Sequence, residues 1–239
     1  MNRIVLALWA PLAPTPLLWI VVTLAAYLGA RSLQRRAGGT PLLNPVLLAI
    51  AAVTALVLAT GTPYGTYFQG AGFIHFLLGP ATVALAVPLA RNLHHVRRSL
   101  GGVALALLAG STTSIMGGIG LVWLLRGSRA VALSMAPKAV TTPIAMAVSV
   151  EIGGIPALTA ALAIVSGIVA AIVGRRLLSR LKIDDWRAHG LAAGVAGSGV
   201  AAAQVAAEDG LGAAFAALGI ALNGLLTALV VPLVPLLWR

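Results

Sequence analysis

Long runs of this chain carry no charged side chain, among them 4–30, 37–90, 99–125, 152–174 and 210–238. Each is long enough to cross the hydrocarbon core of a bilayer at least once, because about 20 apolar residues suffice. With 60% of 239 residues hydrophobic and only 9% charged, the chain has too little polar surface to cover a water-soluble domain. The runs therefore predict an all-α integral membrane protein, a single polytopic domain over 1–239 with the lipid bilayer as its surroundings. Residues 1–13 read as part of the first span rather than as a cleaved leader, since Pro11, Pro14 and Pro16 interrupt the region and no A-x-A site follows.

The formal charge of +11 is distributed as membrane topology requires, not as nucleic-acid binding would require. Eleven of the sixteen Lys and Arg residues fall in three short connections: Arg31, Arg35 and Arg36; Arg91, Arg97 and Arg98; Arg175, Arg176, Arg180, Lys182 and Arg187. Such loops stay on the cytoplasmic side. No nucleic-acid partner is expected. Trp123, Trp186 and Trp238 fall near predicted span ends, where an indole anchors well at headgroup level. The absence of cysteine excludes disulfides, thiolate catalysis and Cys-ligated metal.

Apolar segments are predicted at 12–30, 44–61, 73–90, 100–125, 131–152, 156–174, 188–206 and 211–237. Eight full crossings would put the basic loops at 91–98 and 175–187 on opposite sides. One segment between them must therefore fail to cross, and 131–152 is the one carrying Pro137 and Pro143 and ending at Gly153-Gly154. About seven transmembrane helices plus one broken or re-entrant segment, with the N-terminus outside, satisfy all three basic loops. Within that segment stands Lys138, a charge costly at membrane depth unless something pairs it. It either lines a polar cavity or snorkels to a headgroup. Thr141 and Thr142 either contact a ligand or bond the carbonyls freed by Pro143. Glu151 either pairs with Lys138 or an arginine, or caps the interface.

A short echo, A-L-A-V at 84–87 and A-M-A-V at 145–148, suggests two repeats with interrupted helices, an arrangement that builds midplane sites in transporters. His75 lacks a second ligand at metal spacing and reads as a packed histidine, and His94 and His95 as solvated. The glycines at 110, 117, 118 and 120, like the run 190–203, read as close helix packing, with 197–199 open to a gating role. No phosphate loop, nucleophile elbow or H-E-x-x-H occurs, so neither enzyme activity nor a cofactor or metal is expected.

Several motifs together carry a family resemblance: Asn44-Pro45, Gly61-Thr62-Pro63-Tyr64 with Tyr67 and Gly70, LLGPATVALAVPL at 77–89, Pro137-Lys138 with VTTPIAM at 140–146, and EIGGIP at 151–156. From about residue 12 onward the chain resembles the LrgB/CidB family. That family has been described as antiholin-like, modulating murein hydrolase export and cell lysis beside a small LrgA/CidA-type membrane partner. Its plastid relative is a glycolate/glycerate translocator, and bacterial relatives are linked to pyruvate uptake. The resemblance implies a carrier of small organic monocarboxylates in a bacterial cytoplasmic membrane, or alternatively a lysis regulator, and admits a homo-oligomer.

On that reading Lys138, Thr141, Thr142, Thr82, Asn44 and Ser198 are the candidate substrate-binding residues, and Pro45, Pro80, Pro88, Pro137 and Pro143 mark interruptions of helices facing the central motif. The chain departs from the family pattern where Ala90, Ala139 and Ala147 replace a Tyr, a Ser and a Glu. It departs again where 197–205, including Ser198 and Gln204, stands in place of an SHGIGTARA-like run. If the lost His and Arg bind substrate or proton elsewhere in the family, their absence implies a changed substrate, changed coupling or weakened activity.

Overall fold

The computed structural model describes residues 15–38, 43–77, 80, 83, 84 and 86–238. Those residues are helical wherever they are regular. The chain divides into two units, Met1–Ala84 and Leu85–Arg239. In the first, α1 (Pro16–Arg36), α2 (Pro45–Thr60) and α3 (Tyr64–Phe76) pack around Trp19, which is fully buried and meets Tyr67 edge-on at 5.4 Å. Pro45 opens α2 rather than interrupting a helix, because its ring fixes a helical φ and its missing N–H is one no helix start needs.

The second unit comprises α4 (Ala86–Arg91), α5 (Leu93–Arg98), α6 (Leu100–Leu124), α7 (Arg129–Met135), α8 (Thr142–Ile152), α9 (Pro156–Arg180), α10 (Trp186–Ala206) and α11 (Gly210–Val230), followed by a 3-10 turn over Val231–Trp238. Among the described residues four helices are long and apolar enough to cross a membrane: α1, α6, α9 and α11 with its continuation to Pro235. Large apolar side chains such as Leu28, Leu105 and Leu225 stand exposed on them, as lipid-facing residues do. The 73–90 segment does not form one helix: α3 starts and ends earlier and α4 starts later, with part of the stretch outside the described residues.

The predicted break at 131–152 is present. Helix α7 ends at Met135, residues 136–141 are non-helical, and α8 begins at Thr142 with Pro143 in its first turn. The chain also turns back on itself. The Ser134 hydroxyl accepts a bond from the Ile155 amide at 2.7 Å, and the Thr159 hydroxyl donates to the Ser134 carbonyl at 3.1 Å. A continuous helix would put residues 134 and 155 about 30 Å apart at its rise of about 1.5 Å per residue. So α7 and α8 form a helical hairpin with Lys138 in its tip.

The segment expected as a plain span over 188–206 is a second hairpin. Ser198 has φ 47° and ψ −139°, outside any helical region. Beyond it the chain reverses: Arg175 lies 5.7 Å from the Trp186 ring and is ion-paired with Glu208, although an unbroken helix would separate 186 from 208 by about 33 Å. The first arm runs parallel to α11, with Gly190 against the Gly212 backbone and Gly194 against Ala216. The second arm runs against it, with Ala202 beside Ala216 and Ile220, then Val205 beside Gly212.

The two hairpins approach from opposite ends of α6. The first packs Ala132, Leu133, Val148 and Ile152 on Ile115, Ile119 and Val122, while the second packs Leu191 and Val195 on Val103 and Leu107. Helix α11, rich in Gly and Ala and buried over most of its length, is the post both lean on. The parallel contact depends on small residues, since a Cβ at Gly190 or Gly194 would strike the α11 backbone. Gly190→Leu is therefore expected to destabilise the protein by about 1–3 kcal/mol or to prevent folding, as overpacking does. Gly199→Ala, with open space beside it, is expected to cost nothing measurable in the same detergent thermal-unfolding assay.

Candidate functional site

Between α6, α9 and the two hairpins lies a cavity of two adjoining lobes, of about 850 Å³ and about 720 Å³. Their shared wall contains Lys138 from the first tip, Ser166 from α9, and Ala192 and Ala196 from the second hairpin. The lining is mostly apolar. Its polar groups include Lys138, Thr113, Ser114, Ser166 and Gln204, with Ser99, Arg175, Asp185, Arg187, His189 and Glu208 from the basic connections and the helix ends beside them.

Lys138 is half-buried and donates to the Ser114 carbonyl at 2.7 Å and to the Ser114 hydroxyl at 3.2 Å. An ammonium has three donors, so one N–H remains to serve a ligand. Space for the group is provided by Gly118, where a Cβ would come within 2.7 Å of Nζ. No carboxylate pairs with it: among the described residues the ion pairs are Arg175–Glu208 and Arg187–Asp185, and Glu151 is exposed. The lysine thus brings positive charge into an apolar cavity, supported only by a carbonyl and a hydroxyl.

One mouth of the first lobe is formed by Ser99, after the basic 91–98 segment, with Asp185 and Arg187 from the other basic connection. Both connections therefore lie at the same end of this unit. Arg187 bonds Asp185 through its side chain, which holds that carboxyl below its ordinary range. In the second lobe the His189 ring donates from Nε2 to the Ile183 carbonyl at 2.7 Å.

The other candidates take different places. Thr141 and Thr142 flank the tip but do not line the two lobes, and the Thr141 hydroxyl makes no capping bond to α8. Asn44 lies in the first unit, where its side chain caps α2 by accepting from the Val46 and Leu47 amides. Ser198 forms the turn of the second hairpin, buried, with its hydroxyl unpartnered. Thr82 lies outside the described residues, as does Gly79. Pro80 is described but has undescribed neighbours, and Pro88 falls within α4. Of the expected interruptions, Pro137 and Pro143 are the pair belonging to the cavity-forming hairpin.

Three residues the sequence reading missed carry much of this geometry: Ser114, Ser166 and Asn223. Asn223 is 1% exposed and bonds the Ala139 carbonyl, the Val195 carbonyl and the Ser111 hydroxyl. Its signal was available, because a lone amide inside an apolar span is costly without partners. Ser114 and Ser166 gave none, since serines recur along apolar helices without pointing to a site. No three His, Asp or Glu side chains among the described residues converge where a metal could sit.

A sequence model described as the LrgB-like family matches residues 23–237. The uncharacterized protein YwbG of Bacillus subtilis (strain 168) is 32% identical over 181 residues, covering 75% of this chain and 80% of the relative. No solved structure matches.

Because the chain has no native cysteine, the cavity can be mapped by single cysteines against a silent background. Replacements at Ala188, Ser166 and Ala196 are expected to react with a small water-soluble thiosulfonate, and one at the fully buried Ala214 is not. Silence at Ser166 with reaction at Ala188 would mean that water stops at the mouth.

Proposed function

The chain belongs to the LrgB-like family, and we propose that within it this membrane protein is a secondary carrier or facilitator for small organic monocarboxylates of the glycolate, glycerate, lactate or pyruvate class. The observation that supports this most is the unpaired Lys138 ammonium on the shared wall of the cavity, with hydroxyls nearby. A carboxylate there takes the free ammonium N–H, a charge-assisted bond in a largely apolar setting. Ser114 and Ser166 are the groups placed to meet a hydroxyl or oxo substituent. Two interrupted elements converging at mid-depth are the construction secondary carriers use to form a site away from lipid. ATP or redox chemistry has no part in this reading, in which the protein is not an enzyme.

The carrier is one polytopic domain of a bacterial cytoplasmic membrane with its N-terminus outside. The second hairpin lowers the proposed number of crossings from seven to six, with two re-entrant elements, and keeps the three basic loops inside. A regulator of hydrolase export, acting with a small LrgA/CidA-type partner, is the alternative the family equally accommodates. The two part at Lys138, which a regulator has no reason to need once assembly is intact.

Orientation is checked with an impermeant thiol reagent outside intact cells. Cysteines at Ser32, Asn92 and Ser179 are expected to stay unlabelled, and those at Thr66 and Glu151 to react. Labelling at Ser179 alone would require hairpin α7–α8 to cross the bilayer.

Function is checked by uptake of labelled glycolate, lactate and pyruvate into proteoliposomes, with and without an LrgA-type partner. Lys138→Met is expected to weaken binding by about 1.5–3 kcal/mol, at least tenfold, as loss of a charge-assisted bond implies. Arg129→Gln changes little. Normal transport by a folded Lys138→Met variant, or no uptake by the parent in either arrangement, would favour the regulator.

A further inference from the structure

Asn223 stands in α11 among Gly, Ala and Leu, and both of its amide donors and its carbonyl oxygen are engaged. Its Oδ1 accepts from the Ser111 hydroxyl at 2.5 Å, and its Nδ2 donates to the Ala139 carbonyl at 3.1 Å and to the Val195 carbonyl at 3.0 Å. The two carbonyls belong to different hairpins. Ala139 follows Lys138 in the first tip, and Val195 lines the cavity just before the turn at Ser198 in the second. Ser111 lies near the middle of α6, the level at which the two hairpins meet.

Among the described residues no other side chain hydrogen-bonds both tips. Near the tips the remaining links run to other helices, from Lys138 to Ser114 and from the Ser166 hydroxyl to the Ala196 carbonyl at 3.4 Å. We infer that Asn223 is the positioning residue of the anion site: its one amide clamps the two hairpin tips together and so fixes the distance between Lys138 and the Val195–Ala196 wall. It is not among the residues lining the lobes, so it acts through the backbone it holds. The consequence for anion binding rests on the carrier reading above; the clamp itself does not.

The chemistry sets a graded series. Asn223→Asp turns the shared donor into an acceptor facing two carbonyls, so it drives the tips apart. Asn223→Leu keeps the approximate volume and removes every bond, leaving two carbonyls and a hydroxyl unpaired in a dry interior. Ser111→Ala keeps both donor bonds but removes the anchor that orients the amide, and is the mild variant least expected to disturb folding.

The test uses the full chain in nanodiscs, with cysteines introduced at Met146 and Gly199, exposed positions near the respective tips, as the only thiols. Pulsed spin-label distances are measured for the parent and the three variants, together with thermal unfolding and titration with glycolate, lactate and pyruvate. The parent is expected to give one narrow distance. Ser111→Ala is expected to broaden it and weaken anion binding a few-fold. Asn223→Asp and Asn223→Leu are expected to give longer, broad distributions and at least tenfold weaker binding while still unfolding cooperatively.

A folded Asn223→Asp or Asn223→Leu variant with the parental distance overturns the clamp. A broadened distance with unchanged affinity overturns the positioning role, since a merely structural amide would behave that way. If neither Asn223 variant folds, Ser111→Ala decides, and parental behaviour in both readouts overturns the inference. If the parent binds none of the three anions, the carrier reading falls and the distances alone decide the clamp.

Discussion

A backbone that leaves its helix at membrane depth must find partners for the groups it frees, and this requirement organises the second unit. Among the described residues of the second unit the two hairpins leave their helices at 136–141 and at Ser198, and each break frees carbonyls from their helical partners. Both are served from α11. Asn223 takes one carbonyl from each hairpin and is oriented by Ser111 on α6, so four elements meet at one side chain. The tight glycine contacts between the second hairpin and α11 bring that amide within reach of Val195.

The same economy explains the electrostatics of the cavity. A lysine at this depth is usually neutralised by a carboxylate, yet the four acidic side chains at 184, 185, 208 and 209 cluster at or near the mouth and Glu151 is exposed. Asp185 and Glu208 are engaged there by arginines. Lys138 makes do with a carbonyl and a hydroxyl, weaker partners than a charge. On the carrier reading proposed above, that condition leaves the ammonium open to an incoming anion, which a resident carboxylate would have displaced.

How much of this was legible follows from which residues announce themselves. Pro137, Lys138 and Pro143 each violate the rules of a continuous apolar helix, so the first hairpin and its charged tip could be read directly. The second hairpin could not. Its turn is Gly-Ser-Gly inside a run of Ala and Gly, small residues that pack equally well in a straight span, and no proline marks it. The second interruption was therefore sought at 77–89, where prolines and a threonine stand, whereas the reversal the structure describes lies at Ser198. Thr141 and Thr142 stand beside Lys138 in sequence but do not line the two lobes. Ser114 and Ser166 face the cavity from other helices, a proximity only the fold creates. All-helical architecture was legible because uninterrupted apolar runs of span length point to helices.

The two hairpins also resolve the topological conflict posed by the basic loops in a way the sequence reading reached only in part. In the topology proposed above, one re-entrant element between 99 and 175 suffices to put both loops on one side, and α7–α8 is the hairpin assigned to it. A second, entering from the other end, leaves that agreement intact because it too returns to the side it came from. What it changes lies downstream: α11 starts from the basic-loop end, where Asp209 caps it by accepting from the Gly212 amide, and climbs to the level of both tips. Were the second hairpin a crossing span, α11 would run the other way, and Gly190, Gly194 and Val195 could not climb it in register with Gly212, Ala216 and Asn223. The parallel run of these contacts and the direction of α11 are thus one fact, and the amide that joins the tips is available only because that direction holds.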